Sequence, residues 1–461
     1  MQMKRSLFIL IITFLAVSVT TAHAATFHIK LDGTGDFTSI QDAIDAAEDG
    51  DVVIVHPGTY YENIHYDGKN ITLRSTDPAD WDVVEATIID GGGINRVVDL
   101  DGAGAQGCEL SGFTITNGWQ DAHNAIHSGD GAGVANGGAS ITHCIITGNE
   151  SQGGFYGGGG LYGCSGEIRN CIITHNTTNN LEYPPSGLGG GLCGCNGIIE
   201  NCIIAHNWGK MGGGLSKCNG TIKNCVIANN RTAYGEGSGL LACKGEITNC
   251  IIWGNYDTGC GLQAYSSSTP TYSCLADGPG TGEGNISEDP LFLDADFHLH
   301  AWSPCINAGT NSDVSTDSDL DSNPRIVNVS VDIGAYEYPD GCFVSLSTDK
   351  NSYSQGDTLS ISLDAGSLGH AEVVDAYLAI QTFDGAVFFL PSMSALWDPM
   401  FEGIRLPAGY RSGPFDAFSY AFSGDEPYGE YSVHAALFRS GSTSADDLLT
   451  NIAQARFTFG G

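Results

Sequence analysis

Three observations predict an all-β chain: a right-handed parallel β-helix, which is a solenoid, followed by a β-sandwich. The first is a phrase that returns five times, at 141–149, 168–176, 199–207, 222–230 and 247–255, in the form Ile-x-Asn-Cys-Ile-Ile-x-x-Asn with small departures. Its cysteines (Cys144, Cys171, Cys202, Cys225 and Cys250) lie 27, 31, 23 and 25 residues apart by subtraction of their numbers. Fixed spacing inside each copy with variable spacing between copies is the pattern of a solenoid whose loops differ in length. The second observation is composition: 64 glycines and 15% charged residues suit tight β-turns rather than helices. The third is a change of texture after residue 340, where Gly-rich phrases give way to alternating apolar and polar runs.

In chain order, residues 1–24 carry Lys4 and Arg5, an apolar run from Leu7 to Val19, and the small-x-small Ala22-His23-Ala24. This reads as a secretory signal peptide. No later run is long enough to span a bilayer. The expected setting is secreted or at the cell surface, where disulfides are permitted. Residues 25–340 read as the solenoid and 341–461 as the sandwich, with Pro339-Asp-Gly at the junction. The solenoid needs an N-terminal cap, since its first coil otherwise exposes core and strand edge. The stretch 39–47 supplies a short amphipathic helix, with Ser39 as N-cap, Asp42 as capping-box partner, and Ile40, Ala43, Ile44 and Ala47 on one face.

Within a coil, Ile168 and Cys171 are an odd number apart, so one unbroken strand would point them to opposite faces. A corner at Asn170 lets Ile168, Cys171 and Ile173 all face inward, and Asn tolerates the left-handed conformation such a corner needs. Asn201, Asn224 and Asn249 repeat it, with His143 in the first copy. Stacking would set these amides about 4.8 Å apart, close enough to bond in a ladder. Asn149, Asn176, Asn207, Asn230 and Asn255 make a second ladder. A further phrase, Gly-Gly-Leu-x-x-Cys-x-Gly, places Cys164, Cys195, Cys218 and Cys243 seven residues before their partners. The parallel Cβ vectors of stacked coils make poor bridges, so these thiols are expected free, as small buried hydrophobes. The position after each ladder cysteine (Ile145, Ile172, Ile203, Val226, Ile251) is as apolar as the inward one, which leaves an external stripe that something must cover.

The opening Gly33-Thr-Gly-Asp-Phe-Thr-Ser-Ile-Gln-Asp-Ala-Ile-Asp-Ala-Ala, followed by Gly50-Asp-Val-Val-Ile-Val-His-Pro-Gly-Thr-Tyr-Tyr-Glu-Asn-Ile, resembles that of the pectin-lyase-like superfamily. That resemblance implies the β-helix but no single activity, because the fold serves lyases, hydrolases, esterases, epimerases and adhesins. Asp289-Pro-Leu-Phe-Leu, Ser303-Pro-Cys-Ile-Asn-Ala-Gly, Asp321-Ser-Asn-Pro-Arg and Val331-Asp-Ile-Gly-Ala-Tyr-Glu-Tyr resemble the closing segment of bacterial choice-of-anchor Q proteins, which would end the solenoid near Tyr338. Ser352-Tyr-Ser-Gln-Gly-Asp-Thr-Leu resembles the entry to immunoglobulin-like modules of secreted bacterial proteins. The active-site signatures of pectin methylesterases, polygalacturonases and pectate lyases are absent, so no catalytic set carries over.

A formal net charge of -35 argues against a nucleic-acid partner, and against an anionic membrane or a polyanion without a metal bridge; an acidic surface is also simply a soluble one, and the chain is expected to be monomeric. The candidate partner is an extracellular polysaccharide. The residues just after the second Asn ladder (Trp119, Glu150, Thr177, Trp208, Arg231 and Tyr256) should stand along one flank, with loop aromatics Phe155, Tyr156, Tyr183 and Tyr234 nearby. Aromatic rings beside polar groups suit the apolar face and hydroxyl rim of a sugar. Candidate catalytic residues are His175, His206, Lys210 and Glu150, with Asp121, His123 and Glu182 close in sequence; a lyase would set Lys210 or Arg231 against a uronate carboxylate. Asp317, Asp319 and Asp321 alternate as calcium-binding oxygens do, which makes Ca²⁺ the one candidate cofactor. Against engagement of a glycan, with or without cleavage, stands a non-catalytic adhesion or spacer protein whose solenoid is a rigid rod of roughly 45 Å.

Overall fold

The computed structural model describes residues 24–100, 108–120, 131–152, 157–179, 188–233, 237–257, 263–300, 303–326, 330–338, 342–367, 372–393, 399–407, 410–441, 449 and 453–460. Residues 1–23 of the expected signal peptide lie outside them, as do Pro339-Asp-Gly and the loop residues Asp121, His123, Phe155, Tyr156, Glu182, Tyr183 and Tyr234.

Up to Leu275, short parallel strands stack into four sheets. Two have nine strands, one six and one eight. A single coil shows the circuit: Ile168–Arg169 in the first sheet, Ile172–Thr174 in the second, Thr177–Thr178 in the third and Leu192–Cys193 in the fourth. The next coil begins at Ile199, paired in register above Ile168. The corner between first and second sheets is the left-handed residue foreseen from the sequence: φ is 51° at His143 and Asn170, 52° at Asn201 and Asn249, and 49° at Asn224. Inside, Ile168, Cys171, Ile173, Leu192 and Cys195 are fully buried, and their counterparts continue each file from coil to coil. Every described cysteine is buried, and none is in a disulfide.

The second amide ladder lies inside this bore. Asn149 donates to Asn176 at 3.0 Å, Asn176 to Asn207 and Asn207 to Asn230 at 3.1 Å, and Asn230 to Asn255 at 2.9 Å. Gln263 accepts from Asn255 at 3.1 Å and ends the run. Each middle amide also donates to a carbonyl one coil back, as Asn207 does to Ile173 at 2.8 Å. Burial is tolerated because every donor and acceptor is used. The glycine before each Leu of the fourth sheet has its reason here: a Cβ on Gly191 would sit 3.0 Å from Nδ2 of Asn207. Three of the sequence's Asn-x-Ser/Thr sites, at Asn149, Asn176 and Asn230, belong to this buried ladder.

The corner asparagines do not form the ladder expected of them. Asn170 faces His143 at 3.0 Å, but Asn201 donates to Thr316 at 3.1 Å and to the Ser318 carbonyl at 2.9 Å, and Asn249 exchanges two 2.9 Å bonds with the Thr310 backbone. They bind the chain that returns over them. That chain, 286–338, is also what covers the external stripe: Ile203, Val226 and Ile251 pack with Phe297, Leu299, Leu320, Ile333 and Tyr336 in one cluster. Gly334, at φ +117°, lies so close to the stripe that a Cβ would meet Ile251 Cδ1 at 2.9 Å. The segment holds itself in shape around buried Arg325, which donates to the carbonyls of Ala335 and Gly334 and lies 3.5 Å from Glu337.

At the N-terminus, α1 (Ile40–Ala46) buries Ile40, Ala43 and Ile44 as expected, with Ser39 as N-cap. The capping-box partner is different. Glu62, not Asp42, accepts from the Ile40 and Gln41 N–H groups at 2.9 Å and from the Ser39 hydroxyl at 3.0 Å. Its negative charge sits where the first N–H groups of the helix are unpaired. A second helix, α2 (Trp81–Ala86), opens on the N-cap Asp80 and has no counterpart in the repeat phrase.

Residues from Cys342 onward form two mainly antiparallel sheets, including Cys342–Thr348 with Thr358–Ser367, and Glu372–Gln381 with Gly429–Arg439. Leu359 and Ile361 from one sheet pack with Leu378, Val433 and Phe457 from the other, which is the core of a β-sandwich.

Candidate functional site along the third sheet

The third sheet runs Trp119–Gln120, Glu150–Ser151, Thr177–Thr178, Trp208–Gly209, Arg231–Thr232 and Tyr256–Asp257. Its pairing is in register throughout: Trp119 with Glu150, Glu150 with Thr177, Thr177 with Trp208, Trp208 with Arg231, and Arg231 with Tyr256. The six residues named from the sequence therefore stand in one file, one per coil. Alternation along each strand turns them outward and the second residue inward, and burial agrees: Gln120, Ser151, Thr178 and Thr232 are buried, whereas Trp119, Glu150, Thr177 and Trp208 are half-exposed. Tyr256 is 48% exposed, and the Arg231 guanidinium carbon lies 4.6 Å above its ring centre. A cation on a ring face is held without a carboxylate partner, so its N–H edges stay open to a ligand. Glu150 accepts from the Gln152 amide at 2.8 Å.

Of the described candidate catalytic residues, Glu150 stands in the file, whereas His175, His206 and Lys210 do not. His175 and His206 occupy the corner between second and third sheets, at φ 56° and 57°, where other coils place Asn117, Gly148, Asn229 and Gly254. Histidine shares with Asn and Gly an enrichment in that conformation. The two rings stack at 5.3 Å, and His206 lies 5.9 Å from Phe297 of the closing segment. Burial, then the neighbouring His175 and Arg231, lowers the His206 pKa, which disfavours an imidazolium there. Lys210, expected to meet a uronate, is only 6% exposed, so a polymer on the surface does not reach it. Glu150 is the file's one carboxylate, whereas glycoside hydrolysis uses two across the bond.

The alternating aspartates are likewise engaged by the chain itself. Asp319, 2% exposed, accepts from the N–H groups of Asp321, Asn323 and Glu337 at 3.0, 2.7 and 2.8 Å. Asp321 bonds His298 at 3.0 Å, while Asp317 is exposed. Among the described residues no group of three such side chains is placed to hold a metal ion.

A file of charge on the first sheet escaped the sequence reading. Arg169, Glu200 and Lys223 pair in register, and fully buried Glu200 accepts from Arg169 and from Ser315 at 2.8 Å. The signal was present, since all three hold the second position of the repeat phrase. Ser315 belongs to the returning chain, which makes this a fastening and not a site.

Residues 97–274 match the family model described as a right handed beta helix region. Together with the stacked parallel coils, this makes the solenoid a right-handed parallel β-helix of the pectin-lyase-like class. A cell surface glycoprotein of Methanothermus fervidus is 30% identical over 163 residues, spanning 34% of this chain and 23% of that relative. The chain thus covers about a quarter of the length of the relative it matches. The solved structure of Spo0M, a sporulation control protein from Bacillus subtilis, overlaps 26% of this chain and 50% of its own at 13% identity and a TM-score of 0.19, too slight a likeness to argue from. No helix among the described residues is long and apolar enough to cross a membrane.

Proposed function

We propose that this is an exported surface protein whose β-helix binds an extracellular polysaccharide along the third-sheet file, without cleaving it. The observation that carries the reading is the in-register file itself: indole, carboxylate, hydroxyl, indole, guanidinium and phenol, repeated once per coil on one flank. An extended glycan offers apolar ring faces and hydroxyls at a regular repeat, and a row of rings and polar groups about 4.8 Å apart matches such a polymer better than a compact ligand. Arg231 favours a polymer bearing carboxylates. The likeness to a cell surface glycoprotein supports a surface setting. Binding without cleavage is favoured because Glu150 stands without a second acid in the file, His175 and His206 serve as corners, and Lys210 is buried.

Affinity electrophoresis of the full chain through gels carrying uronate and neutral polysaccharides tests this. Retardation by a uronate polymer that Trp208→Ala and Arg231→Ala each weaken is the expected result. Equal mobility of wild type and variants in every gel would reject it. Unsaturated-uronate absorbance rising with the wild-type protein would replace binding by cleavage.

A further inference from the structure

The sandwich contains a cavity of its own, about 360 Å³, at the end of the two sheets where the Thr382–Ala386 turn faces the segment after Ala421. That volume lies in the range of small-molecule sites. Its walls are aromatic. Tyr431 stacks on Phe457 at 5.4 Å with the planes 7° apart, Tyr420 lines a third side, and Phe383 stands at the mouth, 56% exposed. The phenol hydroxyls are already engaged, Tyr420 donating to Glu426 at 2.7 Å and Tyr431 to the Pro427 carbonyl at 2.5 Å. What these residues offer a ligand is therefore ring surface.

The polar part of the lining has one sign. Asp384 and Glu426 line the cavity, and no described lining residue is basic. Glu426 is fixed in place: it accepts from the Ser423 and Gly424 N–H groups at 3.0 and 2.9 Å. Slight burial raises its pKa, but these bonds and the Tyr420 hydroxyl outweigh it and hold the carboxyl at about 2. Asp384 accepts from the Thr382 hydroxyl at 2.5 Å. An anionic or carboxylate-bearing ligand would meet two like charges, whereas a cation gains from both the carboxylates and the negative ring faces. The geometry points to this cavity as a binding site for an organic ammonium cation, its alkyl groups packed among Phe383, Tyr420, Tyr431 and Phe457 and its charge facing Asp384 and Glu426. This assignment is independent of any glycan on the solenoid.

Calorimetric titration of the full chain with choline, and with 3,3-dimethylbutan-1-ol as a neutral probe of the same shape, decides it. Choline is expected to saturate at millimolar concentration or below, and the alcohol to bind at least about tenfold more weakly. Phe383→Ala, at an exposed position, is expected to melt like the wild type and to weaken choline about fivefold or more. Asp384→Asn should narrow the gap between the two probes. Failure of choline to saturate, equal binding of the alcohol, or an unchanged affinity in folded Phe383→Ala would overturn the assignment.

Discussion

The indole N–H of Trp81 donates to the carbonyl of Leu320 at 3.3 Å, joining residues 239 apart in the chain. Trp81 opens α2 among the early coils, and Leu320 lies in the segment that follows the last coil. Between them the returning chain touches Asn249 at Thr310 and Asn201 at Thr316 and Ser318. The closing segment is thus a cover laid lengthwise along the coils, not a plug at their end.

If that cover is what buries the outer stripe, truncation there should cost as much as truncation in a core. Ile251→Ala is expected to destabilise by about 2–5 kcal/mol, the range for a buried isoleucine. Ile145→Ala, at a half-exposed position of the same stripe, should cost clearly less. Thermal melts of both variants check it; equal small losses would mean that the stripe is open.

Asn207→Ala removes the middle rung of the inner ladder. It leaves the Asn176 backbone N–H and one Asn176 amide hydrogen without their acceptor, takes the amide donor from the Ile173 carbonyl, and leaves the Asn230 side-chain oxygen only the backbone N–H of residue 207. Each orphaned buried group costs about 1–3 kcal/mol, so this variant should be among the least stable single substitutions. Asn219→Ala, whose bonds to Lys217 and Lys244 lie on the exposed surface where water replaces them, should cost clearly less.

The closing segment should loosen in alkali. His298 bonds Asp321 and Asp294 at 3.0 and 2.7 Å; the Asp321 bond foremost lifts its pKa from 6.5 to about 9, against the opposing effect of burial. A histidine raised in the folded state adds stability that is complete below about 6.5 and is lost as pH climbs through about 9. Glu337 acts in the same direction: burial pushes its carboxyl from 4.5 up to about 8 despite Arg325, so the folded chain holds a proton the unfolded chain has released, and stability is lost as pH climbs from about 4.5 to about 8. The contribution of these two groups to the melting temperature should therefore fall between about pH 4.5 and 9, Glu337 acting up to about 8 and His298 from 6.5 to about 9. His298→Gln should be less stable than wild type at pH 6 and should converge with it above pH 9. A constant difference across that interval would contradict the assignment.

Thiol titration separates the stacked-cysteine arrangement from a disulfide framework. The native protein should react slowly with Ellman's reagent, since every described cysteine is buried. In denaturant without reductant, the reading should approach the fifteen cysteines of the sequence. A count reduced by pairs would show bridges.

The coils were legible because their cause is local and repeated. Parity between Ile168 and Cys171 forces a corner, and the left-handed angle at Asn170 is that corner. The stripe at Ile203, Val226 and Ile251 announced a cover for the same reason, since its apolar side chains have no inward place. What covers it was not legible, because Leu320 and Ile333 meet the stripe through contacts of long sequence separation with no shared period. The two asparagine sets look alike in sequence, but one turns into the bore and bonds amide to amide, whereas the other sits at left-handed corners that the return of Thr310–Ser318 covers. The third-sheet file follows from the repeat phrase, whereas the burial of Lys210 does not, because loop paths between coils are not periodic.

The central functional claim is that one glycan chain lies across several coils at once. Oxidative footprinting of the folded chain, with and without a retained polysaccharide, measures this most directly through Trp119, Trp208 and Tyr256, which stand on the first, fourth and last strands of the third sheet. Protection of all three together, with Tyr61 on another sheet (76% exposed) unaffected, is the predicted result. Protection confined to one ring, or of Tyr61 alone, would contradict it.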